Sequence, residues 1–183
     1  MRIAVSGTHC SGKSTLVEDF VAAHRDYVHE PEPYEWLADL YGEQLSETPD
    51  ASDFHRQLEL CVDRLRGYER GARVIAERSP IDFLAYMLAL GDLRRGGRAS
   101  MDSAIELAAR GMEHVDLLVV VDADGIVAPE SEDLDLRDAM NDRLLEIITT
   151  DEYELLGNVR VIEVHGAPRL RLAALERAIG ESR

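Results

Sequence analysis

Short apolar runs alternate along this chain with longer stretches in which apolar residues recur at helical spacing. The runs lack the strict alternation of a half-exposed strand, which is expected when helices cover both faces of a parallel sheet. The order strand, helix, strand, helix predicts an α/β fold, a three-layer α/β/α sandwich around a five-stranded parallel sheet. The predicted strands are Arg2–Ser6, Tyr27–Glu30, Arg73–Glu77, Leu117–Asp122 and Arg160–Val164.

Helical periodicity marks the segments between these strands. The clearest helix start is Ser79-Pro80-Ile81-Asp82, where Ser79 is an N-cap, Pro80 suits the first helical position and Asp82 can complete a capping box. No internal repeat or linker divides residues 1–183, so we expect a single domain. The other helices are predicted over about 13–24, after Pro33, from Phe54 to near Gly71, over about 102–114 and 136–149, and from Pro168.

The most specific motif follows the first strand directly. Residues Gly7-Thr8-His9-Cys10-Ser11-Gly12-Lys13-Ser14-Thr15 read G-x-x-x-x-G-K-S, the phosphate-binding P-loop, between a predicted strand and a predicted helix. The glycines let the backbone turn so that amide groups and a helix N-terminus face an anion. Lys13 is expected to reach the β- and γ-phosphates of ATP, and the Ser14 hydroxyl to bind Mg²⁺. The motif in this context predicts a P-loop NTPase fold.

Composition limits the partners and the location. The formal net charge of −16 disfavours binding to nucleic acid or to anionic membranes. Cys10 and Cys61 show no metal-binding or redox spacing. The longest apolar run, Leu117–Val121, is too short to span a bilayer, and the N-terminus reads as a strand and not as a signal peptide. We therefore expect a cytoplasmic protein with no nucleic-acid or membrane partner, and homodimer formation stays open.

Ligands of open parallel sheets bind beyond the carboxyl ends of the strands, so the residues that follow each strand are candidates for chemistry. After the second strand, Glu30 or Glu32 can take a proton from a hydroxyl that attacks the γ-phosphate, although both can also be solvated loop acids. After the third strand, Glu77 can hold the Mg²⁺ shell and Arg78 can clamp phosphate. Asp122 ends the fourth strand as a Walker B acid does, and competes with Glu77 for that role.

Two further segments follow the fourth and fifth strands. Arg137 and Arg143 can belong to a lid, at about residues 123–143, that neutralises charge on the transferred phosphoryl group. The alternative is that they are surface arginines paired with acids of their own helix. The loop 165–168 after the fifth strand can lie against an adenine base or form a simple turn.

The P-loop, the segment Glu30–Trp36 and Glu77-Arg78-Ser79 together resemble the small P-loop kinases of nucleosides and nucleotides. Glu-Arg-Ser is similar to the motif that ends the third strand of deoxyribonucleoside kinases, in which a Glu-Pro followed by a tryptophan supplies the catalytic base. Here Glu30-Pro31 and Glu32-Pro33 both fit, and Trp36 lies one residue too far from the first and one too near the second. The segment Ser79–Tyr86 also resembles the AAA-like ATP-binding proteins that include ribosylnicotinamide kinases.

The resemblance implies an ATP- and Mg²⁺-dependent phosphotransferase that acts on a small nucleoside- or nucleotide-like acceptor. Two alternatives remain: a regulatory P-loop ATPase or nucleotide-binding switch, and a small-molecule kinase of the antibiotic type on the same core. A kinase should form ADP faster when its acceptor is present, whereas a switch should respond to a protein partner. Acids around the expected acceptor pocket favour a neutral or modestly anionic acceptor.

Overall fold

A computed structural model of the chain describes residues 1–42, 49–95, 100–122 and 133–181. Within those residues, strands and helices alternate much as the apolar pattern predicts. In chain order they are β1 (Arg2–Ser6), α1 (Lys13–Ala23), β2 (Val28–Glu30), α2 (Pro33–Tyr41), α3 (Ala51–Arg66), β3 (Val74–Glu77), α4 (Pro80–Asp92), α5 (Met101–Met112), β4 (Leu117–Val121), α6 (Leu134–Thr150), β5 (Arg160–Val164) and α7 (Pro168–Gly180).

The strands form one parallel sheet in the order β2-β3-β1-β4-β5. This confirms the predicted five-stranded parallel sheet. The central strand is β1, and its Val5 is paired with Glu77 of β3 on one side and with Val119 of β4 on the other. The segments that follow β1, β3 and β4 therefore leave the sheet at the same edge, which brings the P-loop close to Glu77 and Arg78.

Helices cover both faces of the sheet, as predicted for a three-layer sandwich. Helices α1 and α7 pack on one face, and α3, α4, α5 and α6 pack on the other. Successive residues of β1 alternate between the two cores: Ile3 and Val5 face α1, whereas Ala4 belongs to the opposite core. Among the described residues no helix is both long enough and apolar enough to span a membrane.

Element ends differ from the sequence predictions by a few residues, with one larger difference. Helix α3 ends at Arg66, well before the predicted end near Gly71, and α6 begins at Leu134 because the Asp133 carboxylate caps it by accepting from the Leu136 amide. The capping box of Ser79 and Asp82 at the start of α4 is confirmed.

Helix α5 contacts the N-terminus of α4 through Gly111, and this close contact can be tested. A Cβ at Gly111 would lie 2.7 Å from Pro80 Cγ and 2.7 Å from Val62 Cγ2, so these neighbours would have to move. We expect Gly111→Ala to lower the free energy of unfolding by about 1–3 kcal/mol.

The control Gly91→Ala adds a Cβ to α4 in open space. It should change stability by less than about 1 kcal/mol, in the stabilising direction. Equal urea denaturation midpoints for the two variants would contradict this packing.

Candidate active site

The P-loop backbone depends on its two glycines. Gly7 has φ 151°, and a Cβ there would lie 2.8 Å from both Ser11 Oγ and the Val121 carbonyl oxygen. Gly12 has φ 88° and is the N-cap of α1. A side chain at either position would distort the loop. Because Gly12 is the last residue before α1, the loop leads directly into the N-terminus of that helix, where free amide groups can bind an anion.

Lys13 lies inside the loop and not on the protein surface. Its side chain is 4% exposed, and its Nζ donates to the Thr8 carbonyl at 2.9 Å and lies 3.8 Å from Glu32 Oε1. Burial and the neighbouring Arg78 lower the pKa of Lys13 to about 8, against the smaller opposing effect of Glu32. A bound phosphate would supply negative charge at this position and restore the full charge of the lysine.

Arg78 is held in a buried position beside the loop. Its Nη1 donates to the Gly7 carbonyl at 2.9 Å, and the guanidinium pairs with Glu32 at 3.2 Å and Asp82 at 3.5 Å. Burial disfavours the charge, but Glu32, Tyr86 and Asp82 raise the pKa of Arg78 above its ordinary value. Its backbone has φ 77°, a conformation that costs a non-glycine residue about 1–3 kcal/mol and that is concentrated at functional sites.

Asp82 joins these segments beneath the P-loop. It is fully buried, and its carboxylate accepts from the Ser6 hydroxyl at 2.5 Å, from the Gly7 amide at 3.0 Å and from the Ser79 amide at 2.9 Å. Sequence analysis assigned Asp82 only to a capping box. The structure shows that the same carboxylate also fixes the end of β1 and the first residue of the P-loop.

The structure favours Glu77 over Asp122 as the acid beside a magnesium ion. The Ser14 hydroxyl donates to Glu77 Oε2 at 2.8 Å, so a hydroxyl and a carboxylate, both oxygen ligands that suit Mg²⁺, lie together. Asp122 Oδ2 lies 2.9 Å from His165 Nδ1, beyond β4. The Asp122 carboxylate thus contacts His165, whereas Glu77 contacts Ser14, and we propose Glu77 as the acid of a magnesium site.

Donors from other segments surround Glu30, which favours Glu32 as the candidate base. Its carboxylate accepts from Trp36 Nε1 at 2.6 Å, from Arg64 at 2.9 and 3.0 Å and from the Tyr68 hydroxyl at 2.5 Å. Side chains alternate along β2, so Glu30 faces α3 whereas His29 faces the side of α1. The donors occupy both oxygens of Glu30, which joins α2 to α3.

Glu32 is the carboxylate that faces the P-loop. Its side chain is 12% exposed and lies between Arg78 and Lys13, in a cavity of about 360 Å³ that is also lined by Tyr34 and Glu35. Burial alone would raise the pKa of Glu32, but Arg78 and Lys13 outweigh it and hold that pKa below its ordinary value. Glu32 is therefore ionised at neutral pH and able to accept a proton.

Of the two predicted lid arginines, only Arg137 contacts the P-loop. Its Nε donates to the His9 carbonyl at 3.1 Å, and its own carbonyl accepts from the Thr8 hydroxyl at 3.1 Å. Arg143 instead pairs with Asp92, at the C-terminal end of α4, and with Glu146. Arg143 thus makes surface ion pairs, as the alternative interpretation expects, and we do not propose it as a site residue. Residues 123–132 of the predicted lid lie outside the described residues.

Arg171 is a site residue that sequence analysis missed. It is buried, its Nη1 donates to the Ser11 carbonyl at 2.5 Å, and its Nη2 donates to the Asp122 carbonyl at 3.0 Å. One signal in the sequence could have indicated it. Arg171 lies near the start of α7, and that helix follows β5 at the same end of the strands as the P-loop. Arg171 joins the P-loop to the end of β4.

Unsatisfied polar atoms gather around the same loop. Each is a buried side-chain nitrogen or oxygen with no hydrogen-bond partner, a state that costs about 1–3 kcal/mol per atom. Phosphate oxygens are acceptors for such donors, so the residues fit a bound nucleoside triphosphate. In the part of the chain that the structure describes, these atoms are Ser11 Oγ, Arg78 Nη2, Arg137 Nη2 and Arg171 Nε.

Comparison with known proteins agrees with this geometry. A family described as AAA domain matches residues 2–165 of the sequence. The chain belongs to this AAA-domain family. The match confirms the resemblance to AAA-like ATP-binding proteins that the segment Ser79–Tyr86 indicates. No curated protein matches the sequence.

Several solved structures share the fold. A thymidylate kinase from Candida albicans is 14% identical, with a TM-score of 0.69 over 99% of this chain and 91% of that chain. A deoxyadenosine kinase from M. mycoides with bound dATP is 13% identical, with a TM-score of 0.66 over 98% and 100%. NadR protein in complex with NR is 16% identical, with a TM-score of 0.68 over 98% and 50%. At these identities the likeness concerns the fold, and it confirms the predicted P-loop architecture.

The role of Arg171 can be tested by nucleotide binding. Arg171→Ala removes the two donors that hold the Ser11 and Asp122 carbonyls, so the loop loses its support. We expect ATP to bind about 10- to 100-fold more weakly, since hydrogen bonds of a charged group contribute about 1.5–3 kcal/mol. Arg169→Ala is the matched control, because Arg169 is an exposed residue of the same helix. Equal affinities for the two variants in a fluorescent-nucleotide titration would contradict the assignment.

Proposed function

We propose that this protein is a P-loop kinase that transfers the γ-phosphoryl group of ATP to a hydroxyl of a small, nucleoside-like acceptor. The observation that carries the proposal is the position of Glu32. An ionised carboxylate lies 3.8 Å from the P-loop lysine, in the cavity that the loop itself lines. A carboxylate at this position can take the proton of an attacking hydroxyl. A hydrolase would use the same position to activate water, so the acceptor panel below distinguishes the two functions.

On this proposal the nucleotide lies on the P-loop. The loop amides and the N-terminus of α1 bind its phosphates, and Lys13, Arg78 and Arg137 offset the charge that develops during transfer. Ser14 and Glu77 are the residues that would hold Mg²⁺. When bound, that ion would neutralise charge on the β- and γ-phosphates. Arg78 and Arg137 each have a buried Nη2 that finds no partner among the described residues, and phosphate oxygens would satisfy these donors.

Glu32 is proposed as the general base. Its ionised carboxylate accepts the proton of the acceptor hydroxyl as that oxygen attacks the γ-phosphorus. The ion pair with Arg78 keeps Glu32 charged and oriented, and Pro33 restricts the backbone that follows it. Glu30 contributes indirectly, because its contacts with Trp36 and Arg64 fix the segment that carries Glu32.

The lining of the cavity is compatible with a nucleoside-like acceptor. Tyr34 lines it with a ring that is 44% exposed and can stack on a heterocyclic base. Glu32 and Glu35 line it as well, and their charges disfavour an acceptor with several negative charges. The related fold of the deoxyadenosine kinase supports a nucleoside as the acceptor.

The kinase proposal is tested with a panel of nucleosides, nucleoside monophosphates and other ribosides. The protein is incubated with Mg·ATP and each compound, and ADP formation is followed. We expect one class of small acceptor to accelerate ADP formation well above the rate with water alone, because the acceptor completes the site. Slow hydrolysis that no small molecule stimulates, but that a protein partner does, would instead identify a nucleotide-dependent switch.

The two candidate bases are separated by one pair of variants. Glu32→Gln should lower kcat by about 10²- to 10⁴-fold and leave ATP binding intact, because only the proton acceptor is lost. Glu30→Gln should lower the free energy of unfolding by about 1–3 kcal/mol, because Arg64 loses its charged partner. The control Glu35→Gln changes a third acid of the same segment. Full activity of Glu32→Gln with the acceptor found in the panel would remove Glu32 as the base.

A further inference from the structure

A histidine of β2 lies beside the proposed magnesium acid. His29 Nε2 is 2.8 Å from Glu77 Oε1, while the other oxygen of that carboxylate, Oε2, accepts from the Ser14 hydroxyl at 2.8 Å. Two different elements, β2 and α1, therefore hold the two oxygens of one carboxylate. Sequence analysis gave His29 no role.

The topology explains how His29 reaches this position. In the parallel pair of β2 and β3, His29 is opposite Ile75, and Ile75 belongs to the core beneath α1. Side chains two residues apart on a strand share a face, so Glu77 faces the same side as Ile75 and His29. Helix α1 begins on that side, with Ser14 in its first turn.

Glu77 is buried, and a buried charge needs hydrogen-bond or ion-pair partners. Its side chain is 5% exposed, and its negative charge acts on the buried Lys13 nearby. A ring nitrogen that donates to Oε1 fixes the plane of the carboxylate and leaves Oε2 directed at Ser14.

We propose that His29 is a positioning residue for magnesium: it holds Glu77 so that Glu77 Oε2 and the Ser14 hydroxyl face the same cation. The inference rests on the proposed function, which places Mg²⁺ with the nucleotide. Hydrogen-bond partners of metal-binding carboxylates commonly change metal affinity by about 10- to 100-fold when they are removed. His29 acts through Glu77 and does not itself bind the ion.

The readout that separates positioning from simple structural support is the Mg²⁺ dependence of nucleotide binding. A fluorescent ATP analogue is titrated in chelator alone and at a series of Mg²⁺ concentrations. The half-effective Mg²⁺ concentration is the one that produces half of the Mg²⁺-dependent change in affinity for the analogue. If His29 only stabilised the fold, its loss would lower the unfolding temperature and leave that concentration unchanged. If it positions Glu77, that concentration rises while binding without Mg²⁺ stays the same.

The variants are His29→Leu, His29→Asn and His29→Gln. We expect His29→Leu and His29→Asn to raise the half-effective Mg²⁺ concentration about 10- to 100-fold. His29→Gln should stay near the native value, because its side-chain amide reaches about as far as Nε2 and still donates, whereas that of asparagine is too short. The contrast between glutamine and asparagine, both polar, keeps the test decisive even where the leucine variant does not fold.

His24 provides the matched control. Its Nε2 lies 3.0 Å from Glu176 Oε1, the same type of pair, here between the C-cap residue of α1 and helix α7. His24→Leu should leave the Mg²⁺ dependence unchanged. A native-like half-effective concentration in His29→Leu and His29→Asn, or an equal shift in His24→Leu, would overturn the inference about His29. If the native protein binds the ATP analogue equally tightly with and without Mg²⁺, both this inference and the proposed metal site are overturned. Failure to find an acceptor would contradict the kinase proposal but would leave the Mg²⁺ titration valid.

Discussion

The site depends on a buried group of charges in which Arg78 lies between Glu32 and Asp82. None of these groups could be buried alone, since the loss of one partner of a buried ion pair costs about 3–5 kcal/mol. Together with Lys13 the charges balance, two positive against two negative. Each of the three also contacts the P-loop: Asp82 through the Gly7 amide, Arg78 through the Gly7 carbonyl and Glu32 through Lys13. The charges therefore determine the shape of the loop as well as its electrostatics.

This arrangement explains why the active groups lie at one edge of the sheet. Arg78 and Asp82 lie at the junction of β3 and α4, and Glu32 follows β2, so two segments distant in sequence are held at the end of β1. The strained backbone of Arg78 is stabilised by the same contacts. Two further arginines, Arg137 and Arg171, contact the loop from α6 and α7. Four cationic side chains therefore gather around the loop in a protein whose net charge is −16.

Local signals made the fold and the P-loop predictable. The glycine spacing, the buried strand Arg2–Ser6 and the capping box at Ser79 are each encoded within a few neighbouring residues. The choice between Glu30 and Glu32 was not, because it depends on Arg64 of α3 and on Tyr68 just after that helix, which both contact Glu30. Arg171 contacts Ser11 across 160 residues of sequence, a contact that no spacing pattern indicates.

The central claim, direct phosphoryl transfer from the P-loop nucleotide to a small hydroxyl, is tested most directly by the fate of the γ-phosphate. The protein is incubated with Mg²⁺, a nucleoside-like acceptor and ATP whose γ-phosphoryl oxygens carry a heavy isotope, and the products are examined by mass spectrometry. The account predicts a phosphorylated acceptor that retains the heavy oxygens of the transferred group. Heavy label found only in inorganic phosphate, with every acceptor of the panel unmodified, would contradict it.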